Sequence, residues 1–177
     1  MSRAREALDY FNAGVMDLPL HRRLGLSIVH DSQENRPRVV MPSQPALVGP
    51  DGSHPPATLF TVAEVCGGVQ LADEVLPLVV GRGMGAVSLT ITAHFRPLRP
   101  AYGAISGSAE VVTDLKVLET QGKPPRKAKF DTSSTLTAEN GETVAEQKTT
   151  FYLRFMPPSR LRSFGHAYSG LVRILES

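Results

Sequence analysis

The chain has 177 residues, 41% of them hydrophobic and 20% charged, with a formal net charge of +2. That length suits one domain with a substantial core, and the composition excludes a disordered chain. The charge is too small to point to nucleic acid, the lone Cys66 excludes an intrachain disulfide, and no apolar run approaches the ~20 residues of a membrane span.

Ala4, Ala7, Leu8 and Phe11 recur at helical spacing and predict a short amphipathic helix over the first dozen residues. The opening MSRAREALDYF has no apolar signal core, which together with the single thiol predicts a cytoplasmic protein. Pro19 is expected to end this region. Leu24 to Val29 and Arg36 to Met41 read as two strands around the polar turn DSQEN. A loop rich in Pro, Gly, Ser and Asp runs from Pro42 to Pro56. Ala57 to Ala72, ATLFTVAEVCGGVQLA, is apolar on almost every side and predicts a buried helix.

After that helix the period changes. Ala86 to Phe95, Gly103 to Thr113, Lys129 to Ala138 and Thr143 to Phe155 alternate and are rich in β-branched residues, as strands are. Asn140-Gly141 marks a tight hairpin between the last two. These four strands are expected to form a meander. Leu118 to Lys127 reads as a polar, basic loop, and the tail from Pro157 as one more amphipathic helix. The fold class is therefore α+β, with a five- or six-stranded antiparallel sheet wrapped around one apolar helix. The open edges of such a sheet predict pairing with a second copy.

One residue in the apolar helix is out of character. Glu64 puts a carboxylate among greasy neighbours. An ionised carboxylate there costs several kcal/mol unless it is paired, hydrogen-bonded or set at a wet cleft. Either it meets a polar gap or an arginine, or chemistry requires it. Cys66 in the same helix reads as a packed thiol rather than a nucleophile. The five histidines have no metal-ligand spacing, and no G-x-S-x-G elbow accompanies a serine. Gly81, Gly83 and Gly85 precede a strand instead of a helix, so they do not form a dinucleotide loop.

Several segments together resemble one family. PLHRRLGLSIVH is similar to the lead-in to the first strand, ATLFTVAE to the central helix, HFRPLRP to a strand end, and ENGETVAEQKTTFYLR to the last hairpin, of hotdog-fold acyl-CoA thioesterases of the phenylacetate-pathway type. The resemblance runs from about Leu18 to Phe155. It implies a hotdog domain over residues 1–156 and a helical extension over 157–177. It also implies a homodimer or homotetramer whose active site lies between subunits, with coenzyme A entering only as part of the substrate. No other cofactor and no metal is implied. Neither nucleic acid nor membrane is expected as a partner; the partner is an acyl-CoA or an acyl carrier thioester.

The resemblance implies roles for particular residues. Glu64 occupies the catalytic carboxylate position, as general base or nucleophile. Ser88, early in the next strand, matches a hydroxyl that positions water, and Thr90 lies on the same strand face two residues later. Backbone N–H groups at the helix opening would hold the oxyanion, since they are unpaired and dipole-favoured. The family usually opens this helix with His-Gly-Gly. Here Ser53-His54-Pro55-Pro56-Ala57 stands instead, with Pro56 and Ala57 at the glycine positions and His54 one residue out of register. Proline donates nothing, so Ala57 N–H, with His54, is the expected oxyanion contact. Arg96 and Arg99, with Arg126, Lys127 and Lys129, are candidates for the phosphates of coenzyme A. The expected function is acyl-CoA thioester hydrolysis; the alternative is a non-catalytic hotdog protein that binds an acyl thioester or fatty ligand.

Overall fold

The computed structural model describes residues 2–31, 36–118, 126–165 and 168–177. Helices α1 (Arg3–Met16) and α2 (Pro19–Arg23) lead into strands β1 (Ser27–Asp31) and β2 (Arg36–Met41). Helix α3 (Pro56–Val80) follows, then β3 (Gly85–Pro97), β4 (Ile105–Val111), β5 (Lys127–Ala138) and β6 (Thr143–Met156), and finally α4 (Pro158–Leu161) and α5 (Ser169–Glu176). Pro19 opens a short helix rather than ending one, because its fixed φ and missing N–H cost nothing in a first turn.

Every pairing in the sheet is antiparallel, and the strand order is β1-β2-β4-β5-β6-β3. The expected meander is thus corrected. β3 does not neighbour β4; it forms the far edge beside β6. The hairpin at Asn140-Gly141 forms as expected, with Gly141 at φ +85° and Ala138 N–H donating to Glu142 O at 2.9 Å.

α3 lies across the inner face of the sheet. Leu59, Val62, Ala63, Cys66 and Val69 pack with Val39, Ile105, Leu136 and Ala145. Small residues set the approach. A Cβ added at Gly107 would fall 2.3 Å from the Cys66 sulfur, and one at Gly67 2.6 Å from Thr132 Oγ1. The helix also runs past Ala72 to Val80, through Pro77. Proline there removes only one late backbone bond, while Val75, Leu76, Val79 and Val80 are buried with Leu8 of α1 and Leu171, Val172 and Leu175 of α5. The tail is two helices rather than one, because Gly165 at φ +87° breaks the run. Most of the predicted basic loop, residues 119–125, lies outside the described residues.

Candidate active site

The opening of α3 is fixed from the loop before it. Ser53 donates its backbone N–H and its hydroxyl to the Asp51 carboxylate, and these bonds hold Asp51 below the usual carboxylate range. His54 is 3% exposed. Its backbone N–H donates to Ala101 O at 2.8 Å, and its ring Nε2 lies 2.7 Å from Gly103 O. The ring thus anchors the helix opening to the turn before β4. Its Nδ1 is buried with no partner among the described residues.

The first turn of α3 then offers few donors. Pro55 and Pro56 have no N–H, and the Thr58 and Leu59 N–H groups both point to Pro55 O, at 3.0 and 3.3 Å. Ala57 is exposed, and its N–H has no acceptor among the described residues. One free donor therefore sits at the positive end of a long helix dipole.

Glu64 lies two turns on. It is half-buried, on the helix face turned away from the packed Leu59, Val62, Ala63 and Cys66. No hydrogen bond or ion pair to it exists among the described residues. The sequence left open an arginine partner for this carboxylate; the described residues supply none. Glu64 stands between Phe60, whose ring meets Phe95 edge-on at 6.0 Å, and Gly68, where an added Cβ would reach the Phe151 ring at 3.9 Å.

The β3 strand facing this region changes parity midway. Ser88 pairs with Leu153 and Thr90 with Phe151, both buried on the inner face, so both hydroxyls point to the helix side. A bulge between Thr90 and Thr92 inserts Ile91. Beyond it Ala93 and Phe95 face inward, and His94 and Arg96 face outward opposite Lys148 and Glu146. The strand thus offers two hydroxyls to the helix side and its charges to the outer face.

Next to Glu64 along α3 is an apolar cavity of about 920 Å³. Gly68, Leu71 and Val75 line it from α3, Ser88 from β3, and Phe11 from α1. Glu64, Gly68, Leu71 and Val75 follow helical spacing, so the carboxylate heads the stripe that lines the cavity.

No known family profile matches this sequence, and no curated protein does. Solved structures do. A protein of unknown function from Pseudomonas aeruginosa, described as a probable thioesterase, is 26% identical, with a TM-score of 0.63 over 83% of this chain and 94% of that one. The PaaI protein from the E. coli phenylacetic acid degradation operon is 15% identical, with a TM-score of 0.62 over 85% of this chain and 95% of that one. A Bacillus halodurans protein in a crystal structure with CoA is also 15% identical, with a TM-score of 0.61 over 85% and 90%. The chain has the hotdog fold of the thioesterase superfamily.

Within this hotdog frame, Glu64, Ser88, Thr90 and the Ala57 N–H at the opening of α3 lie on or beside the open side of α3. The expected phosphate contacts do not gather there. Arg96 and Arg99 are engaged by Glu146 and Glu142, at 3.6 and 2.6 Å. Lys127 and Lys129 are exposed on the outer face of β5 beside Arg154 and Tyr152, and Arg126 directly precedes them. Lys127 is level with Val87 through Arg154, which leaves it about 30 Å along β3 from Arg96. Pro56 is exposed at the helix opening. Burial pushes the Cys66 thiol up to about 12, which keeps it protonated and unreactive. The α1 wall, and the cavity that Gly68 borders, went unnoticed in the sequence. The signal was present: the stripe from Glu64 through Gly68 to Val75 repeats at 4, 3 and 4 residues.

Proposed function

We propose that this protein hydrolyses acyl-CoA thioesters at the open face of α3. The observation that carries the reading is Glu64: a half-buried carboxylate with no partner among the described residues, heading an apolar cavity bordered by Ser88. A carboxylate kept only for structure would be expected to have a partner, because leaving it unpaired in such a place is costly.

In this reading Glu64 takes a proton from a water that Ser88 helps to place, with Thr90 beside it. The resulting hydroxide attacks the thioester carbonyl carbon, and Ala57 N–H steadies the oxyanion. The tetrahedral intermediate expels the CoA thiolate, which recovers the proton from Glu64, leaving a free acid and a free thiol. Direct attack by Glu64, through an acyl-enzyme anhydride that water then opens, uses the same groups. His54 positions the helix opening through Gly103, and Pro56 forms part of the surface the thioester meets. Arg96, Arg99, Arg126 and Lys127 remain candidate contacts for the CoA phosphates. Because they are far apart on one chain, they would serve sites on more than one subunit.

The same reading calls for a homodimer. β3 is an edge strand with Leu89 63% and Ile91 45% exposed, and such an edge is commonly closed by a second copy. The Pro55-Pro56 opening favours the alternative, a non-catalytic binder, because it leaves one donor where a glycine pair would leave more. Free-thiol release from a panel of acyl-CoAs separates the two. Hydrolysis that Glu64→Gln abolishes supports the first, and binding without hydrolysis by the wild type supports the second.

A further inference from the structure

The cavity beside Glu64 is too large to be a packing defect. Interiors have few voids bigger than a water molecule, and apolar clefts of this scale mark a ligand or partner surface. Its walls come from the ends of the chain. Along α1, Ala7, Tyr10, Phe11 and Gly14 border it at helical spacing, and Leu171 of α5 lines it as well. The lining reaches from Gly68 to Leu76 on α3, ~12 Å, and from Ala7 to Val15 on α1, also ~12 Å, with Leu18 just beyond. The space is therefore elongated, and it begins one helical turn from the candidate carboxylate.

Its size argues about what fills it. An enclosed void of roughly 150 Å³ holds benzene, whereas this half-open cleft offers about 920 Å³, about six times more. A single ring would leave most of the apolar wall uncovered, while an extended hydrocarbon chain gains with each methylene it buries. Two glycines border the space without side chains. Gly14 lies at its exposed rim, where a Cβ would meet no atom within 4 Å, and a Cβ at Gly68 would meet only the Phe151 ring at 3.9 Å.

We infer that this cavity is an acyl chamber for long aliphatic chains, and that Gly14 on α1 and Gly68 on α3 set the length it admits. The inference rests on the thioester reading above for which end of the ligand meets Glu64. It differs in making the substrate a fatty acyl group rather than a short or aromatic one. Ser88 borders the chamber, so in that reading the chain and the chemistry share one wall.

The test is calorimetric titration of the full chain with myristoyl-CoA, hexanoyl-CoA, phenylacetyl-CoA and free CoA, with thiol release measured on the same thioesters. Myristoyl-CoA is expected to bind at least tenfold more tightly than hexanoyl-CoA or phenylacetyl-CoA. In Gly14→Phe and Gly68→Leu the myristoyl-to-hexanoyl ratio should fall toward one. Gly68→Ala, which the space accommodates, should reduce it less and guards against a misfolded variant. Equal affinity for the three thioesters, or a ratio the folded variants leave untouched, overturns the chamber; side chains of a second copy filling the cavity would produce that result. Hydrolysis without chain-length preference would leave the thioesterase reading standing and this inference refuted. Length-dependent binding with no hydrolysis of any thioester would do the reverse.

Discussion

Gly67 and Gly68 are neighbours on α3, yet each serves a different face of it. Gly67 meets the sheet, where a Cβ would sit 2.6 Å from Thr132 Oγ1 and 3.3 Å from the Phe151 ring. Gly68 lies on the open side, where a Cβ would touch nothing closer than 3.9 Å. On the first face glycine allows contact; on the second it preserves space. The sheet side is filled by Leu59, Val62, Cys66 and Val69, and the open side carries Glu64 and the cavity. A single helix therefore divides stability from the proposed chemistry by rotation alone. Changes on one face should show in melting temperature, and changes on the other in turnover.

The strongest test of that division is Glu64→Gln. In the proposed hydrolase it should lower kcat by about 10²–10⁴-fold while the melting temperature holds, since no partner is lost. A large fall in stability with unchanged turnover would move Glu64 to the structural side. Next is Ala57→Pro, which removes the one free donor of the first turn. Loss of an oxyanion donor is worth about 10²–10³-fold in kcat, and circular dichroism would show whether the helix survives. Turnover that persists would assign the oxyanion to another group.

The paired glycines should then respond oppositely to alanine. Gly67→Ala is expected to destabilise the fold by about 1–3 kcal/mol, because Thr132 and Phe151 must give way. Gly68→Ala should stabilise it by roughly 0.5–1 kcal/mol through helix propensity. Urea denaturation midpoints read both, and a matching sign would mean that the two faces are packed alike. The smallest effect belongs to Arg96→Gln on the outer face of the sheet. Its pairing with Glu146 is long and exposed, so stability should change by less than about 1 kcal/mol. A rise in KM for acyl-CoA without a change in kcat would bring Arg96 into substrate binding.

The sequence alone determined the local elements. An all-apolar run around one carboxylate could only be a buried helix with something to explain at Glu64, because nothing else hides that much hydrocarbon. Alternation and β-branching marked the strands to within a few residues, and Asn140-Gly141 marked the hairpin, since both signals are local. The resemblance, carried by the order of four motifs, implied roles for Glu64, Ser88 and Ala57. Tertiary structure decided what depends on distant partners. It put β3 beside β6 instead of β4, because strand order is set by long-range pairing that no local pattern encodes. It inserted Ile91 as a bulge, which turned Ser88 and Thr90 toward the helix and His94 and Arg96 away from it. It extended α3 through Pro77, where burial against α1 and α5 outweighed one lost backbone bond. It also left Glu64 without a partner among the described residues and opened the cavity beside it. Both depend on which side chains fail to arrive, and a single sequence read along its length does not record that.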